Sequence, residues 1–270
     1  MSRAGRSASL VGAGIFASRI AGLAREMVAG RVIGINGAAD ALAAAMRIPN
    51  LLQNLLGEGV LSASFVPVYS ELLDAEDKRE ASRVAGAVGA ALMVVTGLSV
   101  LAIVLAARPL TRLLAWGLTD TSFELAVNLI RITAVGIGFM VMSAWCLGIL
   151  NSHRNFFLPY VAPVIWNVAQ IAALLLAWQG GWDIADATRA VAVGVAVGGV
   201  LQLLVQLPTT MTLARGVRLA LDSNNPHVRD VRRRFGPAVL GRGAVQISAY
   251  IDLLLASFLA AGALSALFKA

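Results

Sequence analysis

Four stretches of this chain, residues 84–107, 132–152, 155–182 and 190–214, contain no lysine, arginine, aspartate or glutamate. Each is about 20 residues or longer, the length at which a helix spans roughly 30 Å of hydrocarbon. Backbone groups in lipid must be satisfied internally, so such runs fold as helices or as closed barrels. Barrel strands are about 10 residues long and alternate in polarity, a pattern absent here. The class that follows is an all-α polytopic membrane protein. Composition agrees: the 270 residues are 58% hydrophobic and 14% charged, against about 25% charged in soluble domains.

The net charge of +7 raises a nucleic-acid reading, but the cations cluster in loops between apolar runs, so no nucleic-acid partner is expected. With the amino terminus inside, Arg3, Arg6, Lys78, Arg79, Arg83, Arg154, Arg215, Arg218, Arg229, Arg232, Arg233 and Arg234 fall on the cytoplasmic side. Arg31, Arg108, Arg112 and Arg189 fall outside. That bias sets a multi-pass topology with a cytoplasmic amino terminus. Cys146, the single cysteine, sits in an apolar run and reads as packing. Arg3 and Arg6 before an apolar stretch resemble a signal peptide, yet Arg19 and Arg25 follow, so an uncleaved first helix is the better reading.

The pattern predicts helices over about 7–33, 39–73, 85–107, 122–150, 156–178, 188–213 and 237–260, with an eighth beginning near 263. Pro49 and Pro67 predict breaks in the second helix. The charged stretch 71–83 reads as a solvated connection with room for a helical turn, and 108–120 as a loop or surface helix with Trp116 at interface depth. Trp178 and Trp182 read as interfacial anchors or plain packing. Ala190, Gly194 and Gly198, four residues apart, form a small-residue face for close helix packing.

Polar groups inside the apolar runs are costly in lipid and must face a cavity or other helices. In the second predicted helix Arg47, Asn50, Asn54 and Glu58 share one face, with leucines over the rest. In the first, Ser18 and Arg25 share a face, as do Arg19 and Glu26. Guanidinium groups bind phosphate through paired, charge-assisted hydrogen bonds, so Arg19, Arg25 and Arg47 point to an anionic, phosphate-bearing substrate. Snorkelling to the interface is the bland alternative for any one of them. Asp40 reads as a helix N-cap or an arginine's partner. Asp252 reads as paired with another helix or as ligand to a coupling cation. His153 reads as a loop residue. There is no Gly-rich nucleotide loop, no metal-ligand spacing and no nucleophile beside a base, so neither an enzyme nor a bound cofactor is expected.

Taken together, the stretch from Ser18-Arg19 to Arg25-Glu26, residues 34–40, Arg47-Ile48-Pro49-Asn50-Leu51-Leu52, Gly57-Glu58-Gly59 and residues 62–68 resemble the MurJ (MviN) family of bacterial lipid II flippases. The likeness continues in order through 148–151, 159–163 with Asn167, 198–202 with 206–208, 236–238 and 246–260. It departs where many members carry basic residues after Pro-Asn-Leu-Leu: this chain has Gln53 and Asn54, which shifts the burden to Arg47.

The resemblance implies a MOP-superfamily, MATE-like fold around a cationic cavity. It divides the chain into an amino-terminal six-helix lobe (1–215), a basic cytoplasmic linker (216–235) and the start of a second lobe (236–270), with helix 7 and a truncated helix 8. It implies passage of lipid II, an undecaprenyl-pyrophosphate-linked peptidoglycan precursor, from the inner to the outer leaflet of the bacterial cytoplasmic membrane by alternating access. Arg19 and Arg25 would hold the pyrophosphate, and Asp40 matches the family's acidic position. Coupling would be to a monovalent cation or the membrane potential. Family members run to nearly twice this length, so the chain is expected to be an amino-terminal half that needs its carboxyl-terminal lobe and is inactive alone. An exporter of another polyprenyl-linked saccharide and a non-transporting membrane scaffold are the competing readings; a cationic drug as cargo is disfavoured by the arginines.

Overall fold

The computed structural model describes residues 3–114 and 120–257, the side chains of 3–8, 10, 48, 114 and 247–257 excepted. Nine helices are found among the described residues: α1 Arg3–Val32, α2 Gly37–Leu56, α3 Glu58–Asp74, α4 Lys78–Leu105, α5 Ala107–Leu114, α6 Asp120–Ser152, α7 Phe157–Gln179, α8 Ile184–Leu213 and α9 Pro226–Ser257. Five helical stretches among them are long and apolar enough to cross a membrane, with α2 and α3 together forming one.

The hub is α6, the membrane-length helix whose apolar stretch is the most deeply buried of the five. It is buried along most of its length from Leu125 to Leu150, with α2, α3, α4, α5 and α8 packed around it. Close approach to α8 depends on Gly136, where a Cβ would lie 2.6 Å from the Ala196 Cα. One side of α8 therefore presses on α6. The small-residue face presses on α7: a Cβ at Gly194 would lie 3.0 Å from the Gln170 Cα, and one at Gly198 2.9 Å from the Trp166 ring. Small residues thus do the work that membrane helices need, where van der Waals contact rather than water exclusion holds helices together. Outermost is α1, which packs on α7.

Three local expectations need correction. The break in the second predicted helix falls at Gly57, and Pro49 and Pro67 lie inside continuous helices. Gly57 N–H donates to the Gln53 carbonyl at 2.8 Å, and a Cβ there would overlap that same oxygen, so glycine alone permits so tight a turn. Proline is tolerated in membrane helices because neighbouring groups re-satisfy the freed carbonyl. Asp40 is not the cap of α2. Asn36 is, accepting from the N–H groups of Ala38 and Ala39 at 2.9 and 3.2 Å, while Asp40 lies in the first turn, where the helix dipole favours an acid. The charged stretch 71–83 is mostly helical: residues 75–77 alone separate α3 from α4, and Asp77 caps α4 by accepting from the Glu80 N–H at 3.0 Å.

Helix α9 also starts at Pro226, earlier than the Pro237 region expected, because Asn225 caps it through the N–H groups of His227 and Val228. The connection before it is docked on α4. Ser82 Oγ donates to the Arg215 carbonyl at 2.9 Å, Arg83 pairs with Asp222 at 3.0 Å, and Asn225 donates to Glu80 at 2.5 Å. The short α5 is the surface helix expected, with Arg108 and Arg112 over the Phe123 ring. Trp116 and the eighth segment lie outside the described residues, as does the Asp252 side chain.

Candidate functional site

Packing of α1 on α7 decides which of its polar groups turn inward. Gly14 lies against Tyr160, where a Cβ would come within 2.8 Å of that side chain, and Gly22 faces Asn167. Positions 14, 18, 22 and 25 follow one face at helical spacing. Ser18 is accordingly half-buried on that face, and Arg25 sits at its end with 21% of its side chain exposed. Arg19, about 100° further round, is exposed. Glu26 pairs with Arg25 rather than with Arg19.

Arg25 opens onto a cleft of 540 Å³ between α1, α2, α7 and α8, lined also by Glu26, Met46, Asn50, Trp166 and Gln170. The Arg25 guanidinium stands over the Trp166 ring, 5.1 Å from its centroid, the geometry of a cation held by a ring face. Gln170 is buried, and its amide donates to the Trp166 carbonyl at 3.2 Å. The walls are otherwise apolar. A guanidinium beside the anchored Gln170 amide in a largely apolar cleft is suited to an anion carrying several oxygens. Glu26 is the competitor, but its side chain is 67% exposed, so turning it to solvent costs little.

A second cleft, of 740 Å³, lies one turn further along α2. Gln53, Asn54, Glu58, Gly59, Ser62, Ala63 and Arg242 line it. Its shape follows from the Gly57 break, which turns the start of α3 away from α2, and from Gly59, where a Cβ would overlap the Arg242 guanidinium. This cleft is polar and carries one charge of each sign.

The residues singled out from sequence therefore separate. Arg25 and Asn50 share the first cleft, and Glu58 lines the second. Arg19, Arg47 and Asp40 are exposed and line neither, and Ser18 sits in the α1–α7 contact. Sequence reasoning missed Trp166 and Gln170, whose place in apolar α7 carries no polar signal of its own. Arg242 is a charge within α9 whose partner surface at Gly59 lies on a distant segment.

An all-α lobe in a multi-pass membrane protein, with one cleft between its first two helices and the α7–α8 pair and a second between α2, α3 and α9, has the fold of the MOP-superfamily transporters. The fold is similar to that of a Vibrio cholerae MATE transporter, VcmN in the bent form, with a TM-score of 0.75 at 16% identity, covering 97% of this chain and 60% of that one. It is similar to a lipid II flippase MurJ in an inward closed conformation, with a TM-score of 0.71 at 25% identity, covering 95% and 52%. The chain belongs to the lipid II flippase MurJ family, whose model matches residues 30–270. Lipid II flippase MurJ of Burkholderia cenocepacia is 35% identical over 256 residues, which is 92% of this chain and 49% of that protein. A probable lipid II flippase MurJ of Vibrio cholerae is 33% identical over 97% of this chain and 51% of its own. The chain thus spans about half the length of the curated relatives it matches.

Proposed function

We propose that this chain supplies the anion-binding lobe of a lipid II flippase, a transporter and not an enzyme, in the bacterial cytoplasmic membrane with its amino terminus inside. The observation that carries the reading is Arg25: a guanidinium mostly withdrawn from solvent, backed by an aromatic ring, lining a largely apolar cleft that also holds Asn50 and Gln170. Its natural ligand is the pyrophosphate of an undecaprenyl-linked peptidoglycan precursor. Asn50 and Gln170 would add hydrogen bonds across the cleft, while Arg19 and Arg47, being exposed, would steer the anion inward. Transport itself is alternating access between two lobes with substrate held between them. The proposal divides the chain at 215 and 235 into lobe, basic linker and the start of the second lobe. Coupling to a monovalent cation, with Asp252 as its ligand, or to the membrane potential belongs to the same proposal.

The test is lipid II binding to the purified chain in nanodiscs, read by native mass spectrometry against a neutral polyprenol of equal length. Arg25→Ala should weaken binding about tenfold or more, the loss of a charge-assisted contact, and Arg19→Ala and Arg47→Ala by less. Equal binding of both lipids to the unaltered chain would refute the reading.

A further inference from the structure

Trp166 does more than fill space. Its ring face holds the Arg25 guanidinium at 5.1 Å, and its indole nitrogen Nε1 is buried with no hydrogen-bond partner among the described residues. Both belong to a residue lining the first cleft. An indole's face carries negative potential and its edge positive, so one ring can hold a cation on its face and offer a donor at its rim. A buried N–H left without an acceptor is uncommon; this one is closed to solvent, so an acceptor reaches it only where the α7–α8 packing beside the cleft yields. The placement is built into the packing. Gly198 on α8 makes room for the Trp166 ring and backbone, with a Cβ there meeting ring and backbone at 2.9–3.0 Å. Gln170, one turn on, donates to the Trp166 carbonyl and ties down the same turn.

We propose that Trp166 is a second anion-contacting residue of the first cleft, donating its indole N–H to an oxygen of the phosphate group that Arg25 holds while its ring face fixes the direction of that guanidinium. The proposal rests on the anion-binding reading of this cleft given above. It assigns the α7 wall a part in recognition that its apolar sequence conceals. Arg25 supplies charge, and Trp166 supplies a fixed direction and a neutral donor that an anion can use without displacing Glu26.

The test replaces Trp166 by β-(3-benzothienyl)alanine, which keeps the ring area and puts sulfur where the N–H was, with Trp166→Phe as a second variant. Purified chains in nanodiscs are titrated with undecaprenyl pyrophosphate and, in parallel, with undecaprenol. Both variants should bind the pyrophosphate lipid about tenfold more weakly, the loss of a hydrogen bond to a charged group. Binding of undecaprenol should be unchanged, a selectivity that loss of packing alone would not produce. If the unaltered chain prefers the pyrophosphate lipid, Arg25→Ala removes that preference and the benzothienyl variant retains it in full, the inference about Trp166 is wrong and the anion site stands. If the unaltered chain shows no preference for the pyrophosphate lipid, both the site and its Trp166 contact fall together.

Discussion

Gly136→Ala is a sharp test of how this lobe is held together. The added methyl would meet three backbone atoms of α8, the Ala196 Cα at 2.6 Å, the Val195 carbonyl oxygen at 2.7 Å and the Ala196 nitrogen at 2.8 Å. Backbone cannot rotate away as a side chain would, so α6 and α8 must part until the contact reaches about 3.4 Å, a shift of roughly 0.8 Å. A gap of about 0.5–1 Å forfeits between a quarter and a half of each dispersion contact it opens. Overpacking of this kind costs about 1–3 kcal/mol, offset by up to about 1 kcal/mol from the better helix propensity of alanine. With the full offset the net loss is up to about 2 kcal/mol, or up to roughly 8 °C in melting temperature for a chain of this size. Gly97→Ala is the matched control: nothing lies within 4 Å of its Cβ, and it is exposed on α4, so the same substitution should raise stability slightly. The protein carries its own reporter, since Cys146 is its single cysteine and is wholly buried on α6. A thiol-reactive fluorophore added during heating in detergent reads unfolding directly. A Gly136→Ala protein melting at or above the unaltered one would show that the α6–α8 contact is not the tight backbone interface described here.

Asn36→Ala removes the cap of α2, and the helix should lose about 1 kcal/mol, seen as a lower thiol-labelling midpoint that Asn36→Asp largely restores. Ser143→Ala strips the oxygen that accepts from Gln202 at 3.1 Å and Gln206 at 2.5 Å; leaving buried amide donors unpaired should cost about 1–3 kcal/mol, and an unchanged midpoint would contradict that network. Burial first, and Lys78 second, hold the His153 imidazole below its ordinary value of 6.5, where its Nε2 meets the Tyr69 hydroxyl at 3.1 Å. The unfolded chain therefore takes up a proton before the folded one does, so stability is full above about pH 6.5 and falls as the pH drops below it. His153→Gln should flatten that slope between pH 8 and 5, and an identical slope in both proteins would assign the acid sensitivity elsewhere.

Apolar run length is a local property, and it set the order and approximate extent of the five membrane-length stretches among the described residues, because a backbone in lipid must satisfy its polar groups internally; the first and seventh predicted helices, α1 and α9, are not among those five. The small-residue spacing at Ala190, Gly194 and Gly198 likewise announced a close contact, which proved to be the one with α7. Boundaries were harder where two local signals competed: Asn36 and Asp40 are both capping residues, and Pro49, Gly57 and Pro67 can each end a helix. Which of them acts depends on neighbours that re-satisfy a freed carbonyl or leave room for a turn. The cleft was legible only in part. Arginines in apolar helices signal a polar interior, but Arg19 and Arg25 are equivalent in composition, and the rotation of α1 on α7, set by Gly14 and Gly22, separates them. Trp166 and Gly59 gave no polar signal at all, since their roles exist only once α1 lies on α7 and Arg242 lies on α3. Periodicity along one chain fixes what a helix can hide, whereas the angle at which two helices meet decides what each one faces.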